Sequence, residues 1–74
     1  MWHSGTLEIG KSIFTYYVKV YGEGSSYGIE DGRISKLMLK RGNKVLCNYD
    51  RGWEIRSRDP DAKLALESLK KMYN

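Results

Sequence analysis

Cysteine and histidine are almost absent from this sequence: Cys47 and His3 each stand alone. A single thiol excludes a disulfide within the chain, and a lone cysteine points to a reducing compartment. The simplest role for Cys47 is that of a small buried hydrophobe. With one His and one Cys, a structural zinc site would need carboxylates or a second chain. Cys47, His3 and Asp50 can be written down as a nucleophilic set, but nothing in their spacing supports it, and His3 is expected in a mobile terminus. No catalytic residue, metal or cofactor is therefore expected, and the chain reads as a non-enzymatic binding protein.

Long apolar runs are lacking as well. No stretch approaches the roughly 20 residues that a membrane-spanning helix needs. Met1 to Gly10 carries Glu8 and no continuous apolar segment, unlike a signal peptide. The expected location is cytoplasmic, with no membrane association. A true phosphate loop is also missing. Gly22, Gly24 and Gly28 imitate one, but no Gly-Lys-Ser/Thr ending follows, and the next residues read as strand. There is no internal repeat and no low-complexity tract.

What remains fits one small domain spanning residues 1–74. A chain of this length buries only roughly 60% of its unfolded surface, so the core must be thin. Such a domain is a candidate homodimer, through sheet extension or pairing of exposed aromatics. The net charge is +4, from thirteen basic and nine acidic residues. That excess permits nucleic-acid binding without demanding it. Its layout is uneven. Arg33, Lys36, Lys40, Arg41 and Lys44 follow one another with no acid between Gly32 and Tyr49, directly after Glu23, Glu30 and Asp31. The bland account of such a run is a solvated face.

Periodicity sets out the elements. Thr6 to Ile9 is a short strand. Ser12 to Tyr21 is the clearest one, dense in β-branched and aromatic residues. Phe14, Tyr16, Val18 and Val20 share its apolar face; Ile13, Thr15, Tyr17, Lys19 and Tyr21 share the other. Gly22 to Gly32 reads as a loop, ending in an Asp31-Gly32 turn. Arg33 to Lys40 is the next strand, with Leu37 and Leu39 on one face and Lys36, Met38 and Lys40 on the other. Arg41-Gly42-Asn43 makes a tight turn into a returning strand that starts at Lys44. From Val45 the odd positions are apolar or aromatic except Arg51. One long strand bulged at Gly52 and two shorter strands with a turn at Asp50-Arg51-Gly52 both account for this.

Asp59-Pro60-Asp61 starts a helix: Asp caps free N–H groups and proline fits the first turn. Ala62, Ala65, Leu66, Leu69 and Met72 form its apolar stripe. Lys70 and Lys71 favour the last turn, and Glu67 is placed to pair with Lys63 or Lys71. The stripe must dock on the Phe14–Val20 row with Leu37, Leu39 and Trp53. The expected fold is α+β: an antiparallel sheet of four to five strands with one C-terminal helix packed on one face.

Two stretches, Tyr27-Gly28-Ile29-Glu30-Asp31-Gly32-Arg33-Ile34-Ser35-Lys36-Leu37 and Tyr49-Asp50-Arg51-Gly52-Trp53, occur together with Trp2 and Gly5 near the start. In these the chain resembles small domain-of-unknown-function proteins of phages and prophages of Gram-positive bacteria, over nearly its whole length. The resemblance implies a mobile-element origin and a host cell as the setting. It carries over no catalytic or ligand residue.

Two functions are compatible with these features. One is stoichiometric inhibition of a host protein or a ribonucleoprotein defence complex, in the manner of an anti-CRISPR protein. Its partner-binding residues would be Tyr49, Arg51 and Trp53, types that dominate interface energies. Arg51 interrupts an apolar row and should be exposed or stacked on Trp53; Trp53 is either core beneath the helix or surface. The alternative is a nucleic-acid-binding module. Tyr17, Lys19, Tyr21, Lys36, Lys40, Lys44 and Asn48 would form a stacking and phosphate-neutralising platform on the sheet face opposite the helix.

Overall fold

Alternation of apolar residues at period two, followed by one capped helical stripe, produces a sheet with a single cover. The computed structural model describes residues 1–74. The elements are β1 (Trp2–Ile9), β2 (Ser12–Val20), β3 (Ile34–Arg41), β4 (Lys44–Asp50), β5 (Trp53–Ile55) and α1 (Pro60–Tyr73), with a 3-10 turn at Ile29–Asp31. The five strands follow chain order in one sheet, and each neighbouring pair is antiparallel. The helix packs on one face of this meander, an α+β fold. No helix is long and apolar enough to cross a membrane.

The core is the row expected from β2, Phe14, Tyr16, Val18 and Val20, joined by Leu37, Leu39, Cys47 and Tyr49 from the sheet and by Ala62, Ala65, Leu66 and Leu69 from the helix. Ile29 and Ile34 anchor the loop between β2 and β3 beside it. The turn after β3 is held by Gly42, whose φ of 61° an L side chain rarely adopts. Arg51-Gly52 breaks the last segment into two strands rather than one bulged strand.

Three expectations are corrected. First, β1 begins at Trp2, not Thr6. Its pairing with β2 is unbroken from Ile9↔Ser12 to Trp2↔Lys19, and Met1 exchanges two hydrogen bonds of 2.8 Å with Val20. His3 thus lies in a strand, its ring stacked 4.9 Å from Tyr73. Gly5 makes room here, because a Cβ would lie 2.8 Å from the Tyr16 hydroxyl. Second, Met72 is 51% exposed. The stripe continues from Leu69 by four residues to Tyr73, which packs against the core and whose hydroxyl hydrogen-bonds that of Tyr16 at 3.0 Å. Third, Glu67 pairs with Lys70 at 2.8 Å, because Lys70 is held over the loop by Glu30 at 2.9 Å. These two carboxylates, Glu67 foremost, raise the Lys70 pKa above its usual value.

Both helix ends are tied to the sheet. Asp59 Oδ1 accepts from the N–H groups of Asp61 and Ala62 at 2.9 and 3.2 Å, and its Oδ2 accepts from Arg41 Nη2 at 2.8 Å. Ser12 Oγ donates to Asp61 Oδ2 at 2.8 Å while accepting from Arg41 Nη1 at 3.1 Å. At the far end, Asn74 accepts from the Ile34 N–H at 3.1 Å and donates to the Ile29 carbonyl at 3.0 Å.

Two measurements check this packing. Leu69→Ala, at a fully buried position, should cost about 2–5 kcal/mol in urea unfolding. Met72→Ala should stay within about 0.5 kcal/mol of the parent. A large loss for Met72→Ala would mean that the stripe ends on Met72 after all. The Arg41 guanidinium, followed by the Ala62 N–H, holds the Asp59 carboxyl below its usual pKa. Such a group stabilises the fold fully above its unfolded pKa, and the contribution is lost as pH falls through the folded value. Stability should therefore drop with acidification below the ordinary carboxylate range. Asp59→Asn, which keeps a capping side chain, should lessen that slope in chemical unfolding at several pH values.

Candidate functional site

The sheet face opposite α1 is uncovered, and its composition follows from register. Lys19 is the direct partner of Trp2 on β1 and of Lys36 on β3. Tyr17 stands between Ser4 and Met38, and Thr15 between Thr6 and Lys40. Met38 faces Asn48, and Lys36 faces Asp50. Trp2, Tyr17 and Tyr21 are 57%, 42% and 47% exposed, high values for large rings. Trp2, Tyr17 and Met38 help to line an open basin of about 600 Å³, with Lys36, Lys40 and Asn48 also around it. Asn48 is oriented by donating to Glu54 at 3.1 Å. Lys36 lies 3.7 Å from Asp50 in a half-exposed pair. Lys19 and Lys40 have no acidic partner.

A second hollow of about 340 Å³ adjoins the basin at one end of the face, sharing Lys36. Lys19, Lys36 and Arg51 border it together with Tyr21 and Tyr27. Arg51 holds a left-handed φ of 61°. Its N–H donates to the Ser35 carbonyl at 3.1 Å, and its guanidinium lies 5.2 Å from the centre of the Tyr27 ring. Lys19 Nζ lies 5.5 Å from the Tyr21 ring centre. The Lys19 ammonium holds the Tyr21 phenol below its usual pKa.

A family model described as a domain of unknown function, DUF7678, matches residues 1–74. The chain belongs to the DUF7678 family. Nothing among curated proteins or solved structures matches it.

In this DUF7678 domain the residues singled out as protein-contact anchors do not form one patch. Tyr49 is only 6% exposed. Its hydroxyl donates to the Tyr27 carbonyl at 2.7 Å, and burial pushes its pKa up. Trp53 pairs with Tyr49 in register, so it lies on the helix side of the sheet, half-buried and edge-on to Tyr49 at 5.1 Å. Arg51 is exposed but stacks on Tyr27, because its left-handed backbone turns it away from that row. It is Arg56 that lies over Trp53, at 4.8 Å.

The platform residues fare differently. Tyr17, Lys19, Tyr21, Lys36, Lys40 and Asn48 share the open face. Lys44 does not. Pairing shifts between Leu39↔Cys47 and Lys40↔Val45, leaving Leu46 as an extra residue, and Lys44 falls opposite Arg41 on the helix side. Trp2 and Tyr27 are additions. Extending the β1 alternation through Thr6 and Ser4 would have reached Trp2. Tyr27 sits in a loop without periodicity, and the sequence marks it only as the first residue of a stretch that carries the family resemblance. Cys47 is buried, and burial pushes its thiol pKa up, as for an inert core cysteine.

Arg51 gives a direct check on whether this geometry serves folding. A left-handed non-glycine residue is strained, and glycine relieves that strain. Arg51→Gly should therefore leave the urea midpoint unchanged or raise stability by up to about 1 kcal/mol. A clear loss of stability would make the Arg51–Tyr27 stack a structural contact instead.

Proposed function

We propose that this domain is a non-enzymatic binding protein that takes single-stranded nucleic acid on its open sheet face. The observation that carries the reading is the exposure of Trp2, Tyr17 and Tyr21 among Lys19, Lys36 and Lys40 on a face that no other element covers. Aromatic rings stack bases of any identity, and neighbouring cations neutralise the phosphates that follow. Trp2 and Tyr17 are diagonal neighbours across β1 and β2, positions about 7–8 Å apart through space. Each ring then has room for its own base. A shallow sheet face suits unpaired strands, whose bases splay out, better than a duplex. The phage or prophage origin that the resemblance implies sets this binding in the cytoplasm of a host cell.

A second reading has its own observation. The Arg56–Trp53 stack on the helix side is an amphipathic anchor of the kind that dominates protein interfaces. It supports stoichiometric inhibition of a host protein or ribonucleoprotein defence complex, anti-CRISPR-like, with Trp53 as a direct contact. Tyr49, inside the core, would act there only by holding its neighbours.

Fluorescence anisotropy with labelled single- and double-stranded oligonucleotides decides between the readings. Single strands should bind more tightly than duplex. With Lys19, Lys36 and Lys40 as three phosphate contacts, log K should fall against log salt with a slope near about −2, at roughly −0.7 per contact. Tyr17→Ala should cost about 1–3 kcal/mol of affinity through lost stacking. If neither nucleic acid binds at low salt, the protein-target reading stands in its place.

A further inference from the structure

The hollow at the end of the open face concentrates more positive charge than folding requires. Lys19 and Lys36 are direct cross-strand partners, an arrangement in which like charges repel. Arg51 contributes a third cation to the same hollow. Of the three, only Lys36 has an acid in reach, Asp50 at 3.7 Å. The backbone segments that carry Arg51 and Lys19 are also held in fixed relation. Arg51 donates its N–H to the Ser35 carbonyl at 3.1 Å, and the Ser35 hydroxyl donates to the Lys19 carbonyl at 3.3 Å. Ser25 Oγ accepts from the Tyr27 N–H at 3.2 Å, which leaves its own proton free to donate into the hollow. The guanidinium rests on Tyr27, so it is oriented rather than free to wander in solvent.

We propose that this hollow seats a phosphate monoester, taken up as the terminal phosphate of the strand bound on the open face. Charge selects that ligand. An internal phosphodiester is a monoanion and needs one cation, as Lys40 offers. A terminal monoester approaches two negative charges at neutral pH, and only this end of the face brings three cations together. Arginine adds a planar fork that matches phosphate oxygens. An anion seated between Lys19 and Lys36 converts their repulsion into shared attraction. The identity of the monoester rests on the nucleic-acid reading; the hollow's affinity for phosphate does not.

The test uses three internally labelled single strands of one sequence, carrying a 5′-phosphate, a 3′-phosphate or hydroxyls at both ends, at constant salt. One phosphorylated strand should bind at least about tenfold more tightly than the hydroxyl strand, the scale of one or two charge-assisted hydrogen bonds. Arg51→Gly should abolish that preference while leaving affinity for the hydroxyl strand as it was. In parallel, inorganic phosphate titrated into the 15N-labelled protein should shift the amides of Ser35 and Arg51. Equal affinity for all three strands with unshifted amides overturns the proposal and leaves the open-face reading intact. Shifted amides without binding of any strand uphold the hollow as a seat for a free phosphate monoester and remove the nucleic-acid reading instead. A phosphate preference that survives in Arg51→Gly overturns the assignment of the hollow.

Discussion

Asp59 serves two elements with its two oxygens. One caps the first turn of α1, and the other holds Arg41 at the end of β3. A short helix is marginal by itself and depends on docking for its stability. Here the group that starts the helix also fixes where it sits on the sheet. Asn74 repeats the arrangement at the other end, bonding to Ile29 and Ile34. Between these ties Ala62, Ala65, Leu66 and Leu69 meet the β2 row. One helix can cover only one face. The bareness of the opposite face, and hence its availability to a ligand, follows from that single constraint.

Much of this was legible because burial on one side imposes a period. In β2 the alternation of Phe14, Tyr16, Val18 and Val20 separates core from surface residue by residue. Asp59-Pro60 marks the helix start through local chemistry that needs no tertiary context. The failures share a cause as well. Ser4 and Thr6 are polar because they belong to the open face, which hides the first half of β1. Met72 and Tyr73 both continue a helical stripe from Leu69, and only docking against Tyr16 selects Tyr73. The position of Lys44 depends on a bulge set by pairing with β3, which no count along one strand discloses. Arg51 meets Tyr27 across a long sequence separation, where a turn breaks the alternation of one segment and the other has none.

The open face and the hollow beside it differ in how their charge is held. Along the basin, cations alternate with rings and are spaced by strand register, a pattern tolerant of many ligands. In the hollow, three cations are crowded against the repulsion between cross-strand partners, and one is supported on a strained backbone. Stability favours neither feature. Backbone strain that persists in a native fold clusters at sites of function, and an anion seated between Lys19 and Lys36 would offset their repulsion. On the reading proposed above, the basin would supply general adhesion and the hollow discrimination, with Lys36 common to both.

The extra residue at Leu46 reaches further than its own contacts. Because side chains alternate sides strictly, a bulge acts as a parity switch for everything beyond it. It sends Lys44 at the tip of the β3–β4 hairpin to the helix side, leaving the open face with the lysines of β2 and β3 alone. Regular alternation through the same residues would pair Lys40 with Leu46 and turn Lys44 to the side of Lys40; the slipped pairing keeps it opposite Arg41. The charge of the open face thus depends on where the pairing slips, with no residue exchanged for another.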